Sequence, residues 1–104
     1  MAYVRISTMT PRAGQERRVA ELLDRLSAFY SREGGYILGY RLRPHEGDPT
    51  RRMGRVGVWE TEDHAVHAAQ TEHALALRSE LLRLIEEATH EELSFTGEPD
   101  TPSA

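Results

Sequence analysis

The sequence contains no cysteine and no lysine. Without cysteine, the chain forms no disulfide, zinc-thiolate site or iron-sulfur cluster, and it has no cysteine nucleophile. Its thirteen basic residues are all arginine, and with seventeen acidic residues they leave a net charge of -4. Because contact with phosphates needs clustered positive charge, this balance predicts that the protein is not a general nucleic-acid binder.

Long apolar runs are also missing. No stretch approaches the roughly 18 apolar residues of a membrane span, and MAYVRIST lacks the basic segment and apolar core of a secretory signal. We therefore expect a cytoplasmic protein without a membrane partner. At 104 residues the chain suits one domain, and a domain of this size buries only about two-thirds of its unfolded surface, which favours a partner subunit.

The first half of the chain predicts a strand, a helix and a strand hairpin. Alternation marks a strand over residues 2–9, with Val4 and Ile6 on one face. Apolar residues at helical spacing from Gln15 onward predict a helix that ends near Gly34. Branched and aromatic residues then predict strands over 36–43 and 53–60, paired as a hairpin across a loop rich in Pro, Gly and Asp.

The second half predicts a long helix and a short strand. Thr61 is a candidate N-cap, and one arc at helical spacing contains Val66, Gln70, Ala74, Leu77, Leu81, Leu84, Ile85 and Ala88. Thr71 followed by Glu72 resembles a second cap, so the helix is either continuous or split there. A fourth strand is expected around Leu93 and Phe95.

The order of elements predicts a ferredoxin-like βαββαβ subunit over residues 1–98, with a four-stranded antiparallel sheet and both helices on one face. Residues 99–104 are expected to be a disordered tail. On the helix-free face we expect one alternation of the second strand, led by either Tyr36 or Ile37, together with some of Tyr3, Arg5, Ser7, Met9, Arg55, Gly57 and Trp59. Tyr, Trp and Arg are enriched in interface cores, so we predict a homodimer that covers this face.

The segments TPRAGQE and WETEDHAVHAAQTEHALALRSEL, with the sheet order, resemble the antibiotic biosynthesis monooxygenase family of dimeric α/β barrels. The resemblance covers residues 2–98 and implies two subunits packed sheet to sheet, with a pocket between each sheet and its helices. Some members of the family oxidise polyketide aromatics without a cofactor, others degrade haem, and many have no known reaction. The fold is thus implied more strongly than the chemistry.

The haem-degrading branch of that family can be tested residue by residue. By resemblance, Ser7 stands where that branch has an asparagine, Trp59 at its tryptophan, and Arg78 at its haem-ligating histidine. Arginine keeps its proton and does not ligate iron. We therefore expect no haem and no other cofactor.

Histidines on the second helix are candidates for catalysis or for structure. His67, Gln70 and His73 lie on or beside the face expected to turn inward, where each polar group needs a hydrogen-bond partner or lines a cavity. His64 and His67 with a nearby carboxylate would make a weak metal set, but no recognised zinc spacing is present, and we predict no metal.

On this basis the favoured function is a cofactor-independent monooxygenase acting on a small hydrophobic, polyketide-like aromatic. His67 or His73 is the candidate base, and Arg55 or Arg78 would stabilise an oxyanion. Ser7, Arg55, Trp59 and Gln70 are the expected substrate contacts, although Trp59 suits a purely structural role between sheet and helix equally well. The alternative is a non-catalytic dimer that binds a small molecule or acts as an accessory protein.

Overall fold

The computed structural model describes residues 1–100, which form four strands and three α-helices. The strands are β1 (Ala2–Met9), β2 (Tyr36–Leu42), β3 (Met53–Trp59) and β4 (Glu91–Gly97). The helices are α1 (Glu16–Tyr30), α2 (Glu62–Ala69) and α3 (Glu72–Arg83), and a short 3-10 turn, Glu87–Thr89, precedes β4. Of the predicted tail, residues 101–104 lie outside the described residues.

The strands form one antiparallel sheet in the order β2-β3-β1-β4. This is the ferredoxin-like arrangement that the order of elements predicted, including the β2-β3 hairpin. In the described part of the chain, no helix is both long enough and apolar enough to cross a bilayer.

The core lies between the sheet and the helices. The predicted stripe of α1 is buried as expected, with Val19, Leu22, Leu23, Leu26 and Tyr30 all in the core. It packs against sheet and helix residues that include Met9, Met53, Trp59, Leu77 and Leu81. Because each fully buried aliphatic side chain contributes about 1.5–3 kcal/mol, this layer holds the helices on one face of the sheet.

The prediction of which residues occupy the helix-free face is wrong. The β1-β3 register pairs Tyr3 with Trp59 and Ser7 with Arg55, and these side chains face the helices. The face they share also carries Arg5, Met9 and Gly57. Alternation correctly divides the strand residues between the two faces of the sheet. Packing decides which face the helices cover, and here α1 packs on Met9, Met53 and Trp59.

The helix-free face instead carries two apolar rows that cross all four strands. Cross-strand pairing builds one row from Tyr40, Val56, Ile6 and Leu93, and the other from Leu38, Val58, Val4 and Phe95. A register shift between Tyr36 and Leu38 turns Tyr36 toward Trp59 on the helix side. The bulge therefore resolves the alternation of β2 that the sequence left open.

The second helical segment is split, as the cap at Thr71 indicated. The Thr71 hydroxyl accepts a hydrogen bond from the Ala74 amide and donates one to the Ala68 carbonyl, so it ends α2 and starts α3. The break changes the phase of the buried stripe. In α2 it is Ala65 and Ala68 that are buried, whereas Val66 and Gln70, which a continuous arc placed inside, are exposed.

Candidate functional site

A cleft opens between the helix side of the sheet and the three helices. It encloses about 70 Å³ and is open to solvent at its mouth. Pockets for drug-sized ligands are about 300–1,000 Å³, so a larger ligand would insert one edge and leave the rest in the mouth. The lining residues are Arg5, Ser7, Leu23, Leu26, Tyr30, Arg55, Trp59, Ala65, Ala69, Arg78, Leu81, Leu82, His90 and Glu92.

Trp59, the last residue of β3, forms part of the apolar wall. Its ring is buried and meets Tyr30 of α1 edge-on, with ring centroids 5.7 Å apart. Tyr36 makes a second edge contact at 5.2 Å. These T-shaped contacts hold the indole in one orientation. Trp59 therefore fills the space between sheet and helix and also lines the cleft.

Arg55, in the middle of β3, extends under α1. Its guanidinium carbon lies 4.9 Å from the centre of the Tyr30 ring, and its Nε donates to the Ser27 hydroxyl at 3.2 Å. On the other side lies Gly57, where an added Cβ would come within 3.3 Å of Arg55 Nη1 and 3.1 Å of Trp59 Nε1. Glycine at position 57 thus lets the guanidinium lie against the bare backbone of its own strand.

The positive charge of Arg55 has no carboxylate partner in the described part of the chain. The side chain is only 8% exposed, and Nη2 is buried without a hydrogen bond. Within residues 1–100 no carboxylate forms an ion pair with it. Burial lowers the pKa of Arg55, against the influence of Tyr30 and Tyr36. A buried charge without an ionic partner costs several kcal/mol, so the charge of Arg55 does not stabilise the fold.

A second polar cluster lies on the same side of the cleft, around Glu92 of β4. Its carboxylate accepts from Arg5 Nη2 at 2.7 Å and from Arg78 Nη2 at 3.4 Å. His90 Nε2 lies 3.7 Å from Glu92 and 3.5 Å from the Ser7 hydroxyl. Burial acts to raise the pKa of Glu92, but the hydrogen bond and charge of Arg5, with Arg78 and His90, outweigh it and hold that pKa below its usual value.

The structure brings together four of the residues proposed from the sequence. Ser7, Arg55, Trp59 and Arg78 all line the cleft. Arg41 of β2 lies outside the cleft lining and pairs with Asp24 of α1 at 2.8 Å.

The three remaining candidates lie elsewhere. His67, Gln70 and His73 are exposed and are not among the residues that line the cleft. His73 packs on Phe29, with ring centroids 4.7 Å apart. Because the break at Thr71 changes the helical phase, the expectation that these three side chains face inward is wrong. Their proposed catalytic and binding roles find no support in this placement.

Sequence reasoning missed His90, Glu92 and Tyr30. His90 stands directly before β4, and Glu92 is the second residue of that strand. One signal was present: in the segment HEELSFTG the polar Glu92 and Ser94 alternate with Leu93 and Phe95, which predicts that Glu92 faces away from the apolar rows. No group of three His, Asp or Glu side chains in the described range is arranged to hold a metal ion.

No protein-family model and no curated protein matches this sequence. Solved structures do match. The cofactor-independent oxygenase SnoaB from Streptomyces nogalater aligns with a TM-score of 0.81 and 22% identity over 98% of each chain. A candidate antibiotic biosynthesis monooxygenase from Nitrosomonas europaea aligns with a TM-score of 0.84 and 19% identity, over 97% of this chain and 94% of its own.

Rv0793 from Mycobacterium tuberculosis aligns with a TM-score of 0.83 and 12% identity, over 98% of this chain and 100% of its own. At these identities the likeness concerns the fold, and the chemistry has to be argued from the cleft. The chain therefore has the ferredoxin-like fold found in structures of antibiotic biosynthesis monooxygenases, as the resemblance in its sequence predicted.

Proposed function

We propose that this protein is a cofactor-independent monooxygenase that acts on a small aromatic, polyketide-like molecule. The observation that carries the proposal is the presence, in one cleft, of a buried guanidinium without a carboxylate partner and a histidine whose Nε2 lies 3.5 Å from the Ser7 hydroxyl. An oxyanion stabiliser and a general base are the two groups that this chemistry asks of a protein. SnoaB, which shares the fold, is described as a cofactor-independent oxygenase.

In the proposed reaction a ring CH₂ that is conjugated with a carbonyl through an aromatic ring becomes a second carbonyl. The base removes one proton, and the resulting enolate transfers electrons to O₂ and forms a peroxide at that carbon. The peroxide takes up a proton from the protonated base, and the hydroperoxide then loses hydroxide and the second C–H proton, which leave as one water molecule while the C=O bond forms. One oxygen atom enters the substrate, the other leaves as water, and the substrate supplies all the electrons, so that no cofactor is consumed.

His90 is the proposed base, and it replaces His67 and His73 in that role. It lines the cleft, and its Nε2 lies near both the Ser7 hydroxyl and the Glu92 carboxylate, which orient the ring. Arg55 stabilises the enolate oxygen, because an unpaired donor in a buried site acts more strongly than one in water. Arg78 supplies further positive charge, and Trp59 and Leu81 provide the apolar wall.

We further propose that the protein is a homodimer, with two subunits packed through the helix-free face. The eight apolar residues of the two rows extend across the full sheet, and several are strongly exposed in the single chain, such as Tyr40 at 65% and Phe95 at 51%. Sheets with such faces pack against each other and exclude water between them. The occupant is a second copy, as in the dimeric barrel that the sequence resemblance implies.

Oxygen consumption tests the oxygenase proposal. The purified protein is first screened by ligand-induced thermal shift with haem, flavins and aromatic polyketides, and O₂ uptake is then followed with 1,8-dihydroxyanthrone, whose central CH₂ is oxidisable. We expect uptake above the rate without protein, with one O₂ consumed per carbonyl formed. Loss of a general base costs about 10²–10⁴-fold in rate, so His90→Asn should reduce kcat by that order.

His67→Asn and His73→Asn are the matched controls, because both side chains are exposed and lie outside the cleft. Both variants should retain the activity of the wild type. An unchanged rate in His90→Asn, or a large loss in either control, would show that the base is misassigned. Tight binding of aromatic ligands without O₂ uptake would contradict the oxygenase and favour the non-catalytic binding dimer.

A further inference from the structure

We infer that the ligand of this cleft binds as an anion, with its charged oxygen on Nη2 of Arg55. The inference uses the site of the proposed function and goes further, because it gives the class of molecule: a flat ring that carries a group already ionised at neutral pH. Two chemical groups meet that description, a ring carboxylate and a ring enol acidified by a conjugated carbonyl. Both present a negative oxygen in the plane of the ring.

The first argument is the difference between Arg55 and the other arginines of the cleft. Arg5 and Arg78 both hydrogen-bond to Glu92, so the charges of these two arginines are already balanced in part. Arg55 contacts the Ser27 hydroxyl, the face of the Tyr30 ring and the Tyr36 side chain, none of which is a carboxylate. A bound anion would supply the missing charge and accept from the free Nη2, as a charge-assisted hydrogen bond.

The second argument is the charge of the cleft as a whole. Three guanidinium groups and one carboxylate line it, a surplus of two positive charges, in a chain whose net charge is -4. Charge of one sign concentrated in an apolar concavity attracts ligands of the other sign. The cleft is therefore positively charged although the whole chain is negatively charged, and this local positive charge favours an anionic ligand.

The third argument is the rigidity of the position. Gly57 on one side and Tyr30 on the other confine the guanidinium plane, since a Cβ at residue 57 would lie 3.4 Å from Nη2. Arg55 therefore cannot swing far to meet a distant carboxylate of its own chain. The guanidinium is therefore held in place before any ligand arrives, and only the groups that cover Nη2 have to move for an anion to reach it.

Paired probes of equal shape test the inference. 2-Naphthoate is compared with 2-naphthamide, and 2-hydroxy-1,4-naphthoquinone, an enol ionised at neutral pH, with its 2-methoxy ether. Dissociation constants are measured by calorimetry at pH 7 and low salt. We expect at least one anion to bind ten-fold or more tightly than its neutral counterpart. A preference confined to the first pair identifies a carboxylate ligand, and one confined to the second identifies an enolate.

Arg55→Met should reduce that ratio to near one, and Arg55→Lys, which keeps a charge without the planar fork, should retain part of it. Arg41→Met is the matched control, because Arg41 stands opposite Arg55 in the β2-β3 register but pairs with Asp24. It should retain the full preference. The wild-type ratio needs no variant, so the test stands even if Arg55→Met fails to fold.

Three results would overturn the inference: equal affinity for the anion and its neutral counterpart in both pairs, no binding of any probe, or a preference that survives in Arg55→Met. The proposed function fails separately. A preference for anions without O₂ uptake would contradict only the proposed oxygenase activity. O₂ uptake without any preference for anions would contradict only the inference that the ligand is an anion.

Discussion

Arg55 and Glu92 show how differently two charged residues behave in one cleft. Glu92 is surrounded by Arg5, Arg78 and His90, so its charge is compensated within the chain. Arg55 is more deeply buried and has no such partner. Glu92 therefore contributes to stability and orients its neighbours, whereas we propose that a bound anion supplies the compensation that Arg55 lacks.

The shifted pKa of Glu92 predicts a pH-dependent contribution to stability. Its pKa in the folded state is below the ordinary value of 4.5, so its contribution is complete above that pH and is lost as the pH falls through the folded pKa. Glu92→Gln should lower the free energy of unfolding by up to about 1 kcal/mol at neutral pH, a magnitude limited by partial exposure. The difference from the wild type should shrink at roughly pH 3.

Urea denaturation at both pH values measures that difference. Glu91→Gln is the control, because this neighbouring carboxylate is exposed and forms no ion pair in the described part of the chain. An equal loss for Glu92→Gln at the two pH values, or the same pH dependence in the control, would show that the cluster around Glu92 is not its source.

At the scale of elements, the break between α2 and α3 decides which residues reach the cleft. The cap at Thr71 restarts the helix, so that α3 turns Leu77 and Leu81 into the core and directs Arg78 to the cleft. The same break leaves His67 and His73 exposed. The cap formed by one hydroxyl group therefore accompanies a helical phase in which Arg78 lines the cleft and the two histidines proposed from the sequence do not.

Thr71→Ala tests the importance of this cap. Without the hydroxyl, the Ala74 amide loses its acceptor, and we expect a loss of about 1 kcal/mol in the free energy of unfolding. Thr71→Ser keeps the hydroxyl and should retain most of the stability. Chemical denaturation of the two variants provides the measurement. An equal loss in both would attribute the effect to packing of the threonine methyl group rather than to capping.

At the scale of the whole molecule, the apolar rows of the helix-free face have no cover within the described chain. Four of their eight members are exposed: Leu38, Tyr40, Leu93 and Phe95. A surface of this extent on a small domain is typical of an interface. If two copies pack there, the apolar rows of each subunit are buried against those of the other.

Phe95→Glu should separate the two subunits, because dimerisation would bury the new carboxylate without a partner. We expect a dimer for the wild type at micromolar concentration and a monomer for the variant, by sedimentation velocity. Leu75→Glu is the matched control, since Leu75 on α3 is 50% exposed against 51% for Phe95. It should remain dimeric. A monomeric wild type, or a dimeric Phe95→Glu, would contradict packing through the helix-free face.

The sequence by itself determined the elements, their order and the cap at Thr71, because hydrophobic period, turn residues and capping act over a few neighbouring positions. Four of the site residues that it proposed, Ser7, Arg55, Trp59 and Arg78, line the cleft.

Only the tertiary structure decided which side of each strand faces the helices and that His90 joins Ser7 across 83 positions of the chain. Alternation is symmetric between the two faces of a sheet, so no local pattern chooses between them. The choice comes from packing: α1 covers the face with Met9, Met53 and Trp59, which leaves the branched residues for the other face and encloses Arg55 without a counter-ion.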